Sequence, residues 1–240
     1  LNSVANGKLS NSWIFEDIFI YPASGDDGTS VGAALFSYYS KQKKPNLNLD
    51  NSSPYIGYET TDLEILNEIK KRGLKFKKSK NILKDTTNLL VQNKIIGWFS
   101  GKAEIGPRAL GDRSILADPR NKNNKGRVNS KIKFRESFRP FAPAVMEEYS
   151  KYYFDTKKKS PYMLMAFKIK RGKTSIIPAV AHIDGTARIQ TVNRKENQRF
   201  WGLIREFYKI TKVPVLLNTS FNRQGEPIVN TPKEAIDAFL

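Results

Sequence analysis

Two short apolar runs, IIGWF (95–99) and VPVLL (213–217), set the first constraint on the fold. They are the longest of their kind, and both fall far below the roughly 18 residues that a membrane-crossing helix needs. Runs of this length read as buried strands. Helical patterns alternate with them. TDLEILNEIKKRG (61–73) opens on Thr61 as a cap, carries Asp62 and Glu64 in its first turn, places apolar residues at 63, 65, 66 and 69, and ends on Gly73. NILKDTTNLLVQN (81–93), ENQRFWGLIREFYKI (196–210) and a segment starting at Pro232 carry similar helix signals. FEDIFIY (15–21), YMLMAFKI (162–169) and ARIQTV (187–192) are expected to be further strands. Helices alternating with short buried strands give an α/β (α+β) class, and no internal repeat is found.

Composition excludes several chemistries. The chain has no cysteine, so disulfides and thiol nucleophiles are ruled out. Its one histidine, His182, cannot make a histidine metal centre. A Ser–His–Asp triad lacks the GxSxG elbow that would expose its serine. No charged-then-apolar leader opens the sequence, and a cytoplasmic location with no membrane association is expected. LNSVANGKL begins as the middle of an element and TPKEAIDAFL stops within a helix pattern, which suggests part of a longer protein.

The formal net charge of +18 points either to a lysine-rich solvated surface or to an anionic partner. Its distribution is informative. Residues 101–140 hold eleven lysines and arginines against four acids, and about half of those cations are arginine. KKRGLKFKKSK (70–80) and DTKKKS (155–160) are mostly lysine. Arginine offers a planar fork to phosphate or carboxylate, whereas a lysine run usually only solvates a surface.

Four other segments join GKAEIGPRALGDRS (101–114), whose arginines sit among Gly106, Pro107 and Gly111. PASGDDGTSVGAAL (22–35) puts Asp26, Asp27 and Gly28 before a small-residue helix, suited either to an anion at the helix N-terminus or to an ordinary capped turn. KFRESFR (133–139), read as extended chain, would set Lys133, Arg135 and Arg139 on one face, either around an anion or neutralised by Glu136 and neighbouring acids. AHIDGTARIQ (181–190) carries His182 and Arg188. NTSFNRQGEP (218–227) brings Asn218 and Ser220 to a strand end, as turn caps or as neutral donors to phosphate or a carbamoyl group. GWFSGKA (97–103) fails the spacing of a P-loop and has Ala103 where Ser or Thr is needed. Arg113, beside Asp112, is expected to form an internal ion pair.

In order and spacing these five motifs resemble the nodulation/cephem-type O-carbamoyltransferase family over nearly the whole chain. The resemblance implies a YrdC-like mixed-sheet domain over 61–240, a linker over 41–60, and over 1–40 the tail of an actin/hexokinase-like N-terminal domain. It implies condensation of carbamoyl phosphate with ATP to carbamoyl adenylate, followed by transfer to a hydroxyl acceptor, with Mg²⁺ bridging phosphates. Lys133, Arg139 and Arg188 would be catalytic. Arg108, Lys133, Arg135, Arg139, His182, Arg188, Asn218 and Ser220 would bind nucleotide and carbamoyl phosphate. Asp26, Asp27 and Gly28 would form a phosphate-proximal loop. The family's histidine-bound iron belongs to a part of the protein outside this chain, so no metal ligand is assigned here. A homodimer is compatible with the pattern. The competing reading is a basic YrdC-like RNA-binding module, disfavoured because the arginines sit in Gly/Pro loops rather than on an aromatic platform. A third is an idle assembly domain, which buried and internally paired arginines at 108, 139 and 188 would support.

Overall fold

The computed structural model describes residues 2–12, 14–42 and 53–240. Its helices are α1 (Ser3–Asn11), α2 (Thr29–Ser40), α3 (Asp62–Lys71), α4 (Ile82–Val91), α5 (Asn123–Lys131), α6 (Ser150–Tyr153), α7 (Gln198–Thr211) and α8 (Pro232–Phe239). Its strands are β1 (Ile96–Phe99), β2 (Arg113–Ala117), β3 (Ala142–Met146), β4 (Ala166–Lys168), β5 (Thr186–Arg188), β6 (Gln190–Val192) and β7 (Val215–Ser220).

The helices start where local chemistry satisfies their free N–H groups. Thr61 with Glu64 and Thr231 with Glu234 form capping boxes at α3 and α8, and Pro232 stands at the first position of α8. Asn81 and Asn197 cap α4 and α7 through their side-chain oxygens. In α7, Phe200, Leu203, Ile204 and Phe207 are buried at the i, i+3, i+4, i+7 spacing of one helix face, and α4 packs against that helix.

Five strands form a mixed sheet in the order β1-β2-β7-β3-β6, antiparallel throughout except for the parallel β3–β6 pair. The residues of β2 split between the sheet's two faces. Leu116 joins the main core with Phe200, Leu203 and Phe207 of α7, while Ile115 packs with Phe221, Val229 and Ala235 of α8. Helices therefore cover both faces, as unbroken apolar strands require. Strands β4 and β5 make a separate antiparallel ribbon, on which α1 rests.

Several expectations are corrected. FEDIFIY is irregular, with Phe15 and Phe19 exposed, because no strand among the described residues lies alongside to complete its backbone hydrogen bonds. The strand expected over 162–169 shrinks to Ala166–Lys168, since Met163 adopts a left-handed φ of 56°. ARIQTV divides at Ile189 into β5 and β6, each paired in a different sheet. KFRESFR is turned rather than extended, with Phe134 at a φ of 44°. Strands β2 and β3 and helix α5 were not expected from the pattern.

Of the segment read as a linker, 43–52 lies outside the described residues. Its later part runs beside the arginine-bearing loop: Gly57 N–H donates to Ala103 O, Ala103 N–H to Tyr58 O, and Ile105 N–H to Pro54 O. The N-terminal segment also packs on the rest of the chain. Asn6 Nδ2 donates to Leu164 O at 2.9 Å, and a Cβ on Gly106 would stand 2.8 Å from Pro22 O.

Candidate polyanion site

The two arginines of GPRALGDR take different places. Arg113 is fully buried at the start of β2, with its guanidinium 3.8 Å from the Phe99 ring centre. It donates to the carbonyls of Ser100 (2.6 Å), Gly101 (3.3 Å), Asp112 (3.0 Å), Tyr58 (3.2 Å) and Asn230 (3.4 Å). No carboxylate lies within ion-pair distance of it among the described residues, so the expected pair with Asp112 is not formed. Arg113 spends the donors of its two terminal nitrogens on chain ends that meet at this point, while its buried Nε–H has no hydrogen-bond partner among the described residues. Asp112 instead accepts from Asn197 Nδ2 at 3.1 Å, and burial, helped by the nearby Glu104 charge, pushes its carboxyl up to about 7.

Arg108 projects from the turn between Gly106 and Gly111, whose φ values of +99° and +120° suit glycine. A Cβ on Gly111 would also stand 2.2 Å from the Phe200 ring. The turn is held from below. Leu110 O accepts from Tyr55 O–H (3.1 Å) and Gln190 Nε2 (2.6 Å), and Ala109 O accepts from Asn218 Nδ2 (3.2 Å). Asn218 also donates to Gln190 Oε1 at 2.9 Å, across β3. Those two residues stand opposite Ala142 and Ala144, whose small side chains leave room for the contact. Asn218 is therefore a buried support beneath the loop.

Around Arg108 the cations outnumber the acids among the described residues, with Asp27 acting on Arg108 and Glu136 on Arg135. Arg188, at the end of β5, has its pKa pushed down to about 10 by burial and by the charges of Arg108 and Arg135. Arg108 is itself depressed by burial, with Asp27 of the GDDG turn the charge that supports its ionisation. The Nε–H groups of Arg108 and Arg188 are buried and have no hydrogen-bond partner among the described residues. Arg135 donates Nε–H to Asn129 Oδ1 at 2.7 Å and lies over the Phe141 ring at 4.8 Å. Burial depresses it most, followed by the Arg139 charge. His182 shares a hydrogen bond with Thr186 Oγ1 at 3.0 Å, and burial, together with Arg188 and Lys125, lowers its pKa. The imidazole is thus neutral at pH 7.

Lys133 is buried next to this group. Its Nζ donates to Ser220 O (2.6 Å), Ser220 Oγ (3.2 Å), Asn222 O (3.1 Å) and Asn222 Oδ1 (2.6 Å), which ties the 133–139 turn to the end of β7. Burial and the Arg135 charge push the amine down to about 7. Ser220 and Asn222 also line a cleft of about 520 Å³ with Gly106, Pro107, Glu226 and Asn230.

The charges of Arg108 and Arg135 thus both reach Arg188, whose charge reaches His182; Asp27 acts on Arg108, and Lys133, which feels the Arg135 charge, is hydrogen-bonded to Ser220. Arg139 stands on the exposed rim, 3.9 Å from Glu136, and its charge reaches Arg135. Asp26 and Gly28 close the short 3-10 turn ahead of α2, where Asp26 O accepts from Thr29 Oγ1 at 2.6 Å. Arg108 and Arg188 form no ion pair among the described residues and Arg139 is exposed, so the buried, internally paired set that would support an idle assembly domain is not seen. Sequence patterns do not single out Tyr55 and Gln190, whose partner Leu110 is distant in sequence, nor Glu104 and Asn129, whose partners lie six to ten residues away but are reached only through the folded turns. Asn222 could have been weighed, since it lies two residues after Ser220. Among the described residues, no group of three or more His, Asp or Glu is placed to hold a metal, and no helix is long and apolar enough to cross a membrane.

Comparison with known proteins gives this geometry a family. Nodulation protein NolO of Bradyrhizobium diazoefficiens is 42% identical over 246 residues, which cover 100% of this chain and 44% of that protein. Nodulation protein NolNO of Sinorhizobium fredii is 41% identical over 247 residues, covering 100% of this chain and 36% of that protein. The chain thus spans less than half the length of these relatives. A crystal structure of full-length HypF in the phosphate- and nucleotide-bound form aligns with a TM-score of 0.43 and 15% identity, over 68% of this chain and 20% of that one. Residues 1–35 match the family model described as carbamoyltransferase N-terminus, and residues 87–240, which carry Arg108, Lys133, Arg135, Arg188 and Ser220, match the one described as carbamoyltransferase C-terminus. The chain belongs to the carbamoyltransferase family.

Proposed function

We propose that this chain forms the ATP- and carbamoyl-phosphate-binding part of an O-carbamoyltransferase. In it, water takes the phosphoryl group of carbamoyl phosphate as free phosphate, and the resulting carbamate oxygen displaces pyrophosphate from the α-phosphorus of ATP, giving carbamoyl adenylate for delivery to a hydroxyl acceptor. The supporting observation is the cluster of Arg108, Arg135 and Arg188, in which two buried Nε–H groups have no partner among the described residues. Holding like charges together costs free energy, and a bound polyanion recovers it. Two phosphate-bearing substrates must approach each other here. Fixed guanidinium groups offset their repulsion and stabilise charge that builds up during displacement at phosphorus.

Arg188 and Lys133 are the inner cations of this scheme, and Arg139 guards the rim. Ser220 and the neutral His182 supply uncharged partners. Asn218 acts by supporting the loop of Arg108. Mg²⁺ would enter with the nucleotide and screen its phosphates, with Asp27 the carboxylate available beside Arg108. The cytoplasm, where ATP is abundant, is the compartment that suits this chemistry.

The test is carbamoyl-phosphate-dependent exchange of pyrophosphate into ATP by the full-length protein. Exchange in wild type that is lost in folded Arg108→Ala and Arg188→Ala supports the proposal. Wild-type protein that binds neither ATP nor carbamoyl phosphate overturns it. Exposed Phe134 and Phe138, which alternate with Arg135 and Arg139, favour a second reading as an RNA-binding surface. RNA affinity with a steep salt dependence, unaffected by ATP, would identify that activity.

A further inference from the structure

Glu104 differs from the other acids near the cations. Its Oε1 points at the backbone and accepts from the N–H groups of Leu110 (2.7 Å), Asp112 (2.7 Å) and Arg113 (3.3 Å). Burial pushes this carboxyl upward, and the same three donors pull it back. One side chain therefore closes a turn of ten residues onto its own far end. Tyr55 and Gln190 hold the carbonyl of Leu110, and Asn218 holds that of Ala109. The N–H groups of Leu110, Asp112 and Arg113 and the carbonyls of Ala109 and Leu110 are thus all engaged, and Arg108 projects from the turn they fix. Without such fixing Arg108 would turn toward water, because the Arg188 charge repels it.

We propose that Glu104 is a positioning residue for Arg108, gathering the amides of Leu110, Asp112 and Arg113 so that the guanidinium is kept beside Arg188 in the absence of an anion. Its consequence for ligand binding rests on the polyanion reading above; the clamp itself does not. The gain is preorganisation, since an arginine already in place loses little freedom when phosphate arrives.

The experiment uses the full-length protein and has two arms. Amide hydrogen exchange is followed in wild type, Glu104→Ala and Glu104→Asp, the last keeping the carboxylate but withdrawing it by one methylene. Protection at Leu110, Asp112 and Arg113 is expected to fall about tenfold or more in Glu104→Ala and by less in Glu104→Asp, while β7 keeps its protection. Unchanged protection in Glu104→Asp and Glu104→Ala would overturn the clamp. In the second arm, pyrophosphate affinity is measured for Glu104→Ala, Arg108→Ala and the double variant. Glu104→Ala is expected to lose about as much as Arg108→Ala, with the double variant no worse than either. Additive losses would show that Glu104 acts independently of Arg108 and would overturn the positioning role. If wild type fails to bind pyrophosphate, the polyanion reading falls, and the exchange arm still decides the clamp.

Discussion

Arg113 and Arg108 lie five residues apart in one motif and do opposite work. Arg113 has no exposed surface and serves five backbone carbonyls, so its charge is dispersed over dipoles that need donors. Arg108 stands near Arg188, and its buried Nε–H, like that of Arg113, has no hydrogen-bond partner among the described residues. The first arginine holds segments of the fold together. The second is held by the fold in a place that is unfavourable until an anion arrives. A functional cation and a structural one can thus share a motif and differ only in what the surrounding backbone offers them.

The sharpest way to break this contrast is to remove the structural Arg113 and, separately, one arginine of the cluster around Arg108. Arg113→Met should lower stability by at least about 3 kcal/mol, because several buried carbonyls lose their donors together; urea denaturation measures it. Arg188→Ala should leave the urea midpoint unchanged or raise it, because one of three mutually repelling charges disappears. Its pyrophosphate affinity should fall by about 10- to 100-fold, as expected for a lost charge-assisted contact. A comparable loss of stability in both variants would erase the distinction.

A smaller effect comes from Lys133, whose amine is pushed down to about 7. A bound polyanion favours the ammonium form. Affinity should therefore be full below pH 7 and weaken as pH rises through 7, with proton uptake on binding above that pH. Calorimetry in buffers of different ionisation enthalpy would detect the uptake. The same shift has a stability consequence of fixed sign. The unfolded lysine takes up its proton near 10.5 while the folded one waits until about 7, so this group's contribution becomes less favourable as pH falls across that window.

The smallest effect is expected in the lysine run. Lys77→Gln and Lys78→Gln alter exposed side chains, and stability should stay within about 0.5 kcal/mol of wild type. Pyrophosphate affinity should stay within about twofold, since these charges are screened by solvent and salt. A larger loss would mean that the site extends to that surface.

Much of this was legible in the chain itself. Thr61 with Glu64, Asn81, and Thr231 before Pro232 mark three helix starts through contacts that reach only three residues ahead. Ile96–Phe99 and Val215–Ser220 lie close to the strands their apolar runs announced. The order of arginine-bearing motifs gave the family, because spacing between motifs is a property of sequence. KFRESFR shows where such reading stops. An alternating pattern suggested three cations on one face, but the left-handed Phe134 and the four oxygens around Lys133 turn the chain. Those oxygens come from residues more than eighty positions away, and no local pattern encodes them.

The sequence by itself thus determined where α3, α4 and α8 begin, that the runs 95–99 and 213–217 are strands, that thiol and histidine-metal chemistry are excluded, and which arginines deserve attention. Only the tertiary structure decided which arginine is structural and which is left facing other cations. The physical reason is that a guanidinium's role depends on its acceptors. For Arg113 these include Tyr58 and Asn230, carbonyls 55 residues before it and 117 residues after it in sequence. Across such distances, it is the folding of the chain that brings donor and acceptor together.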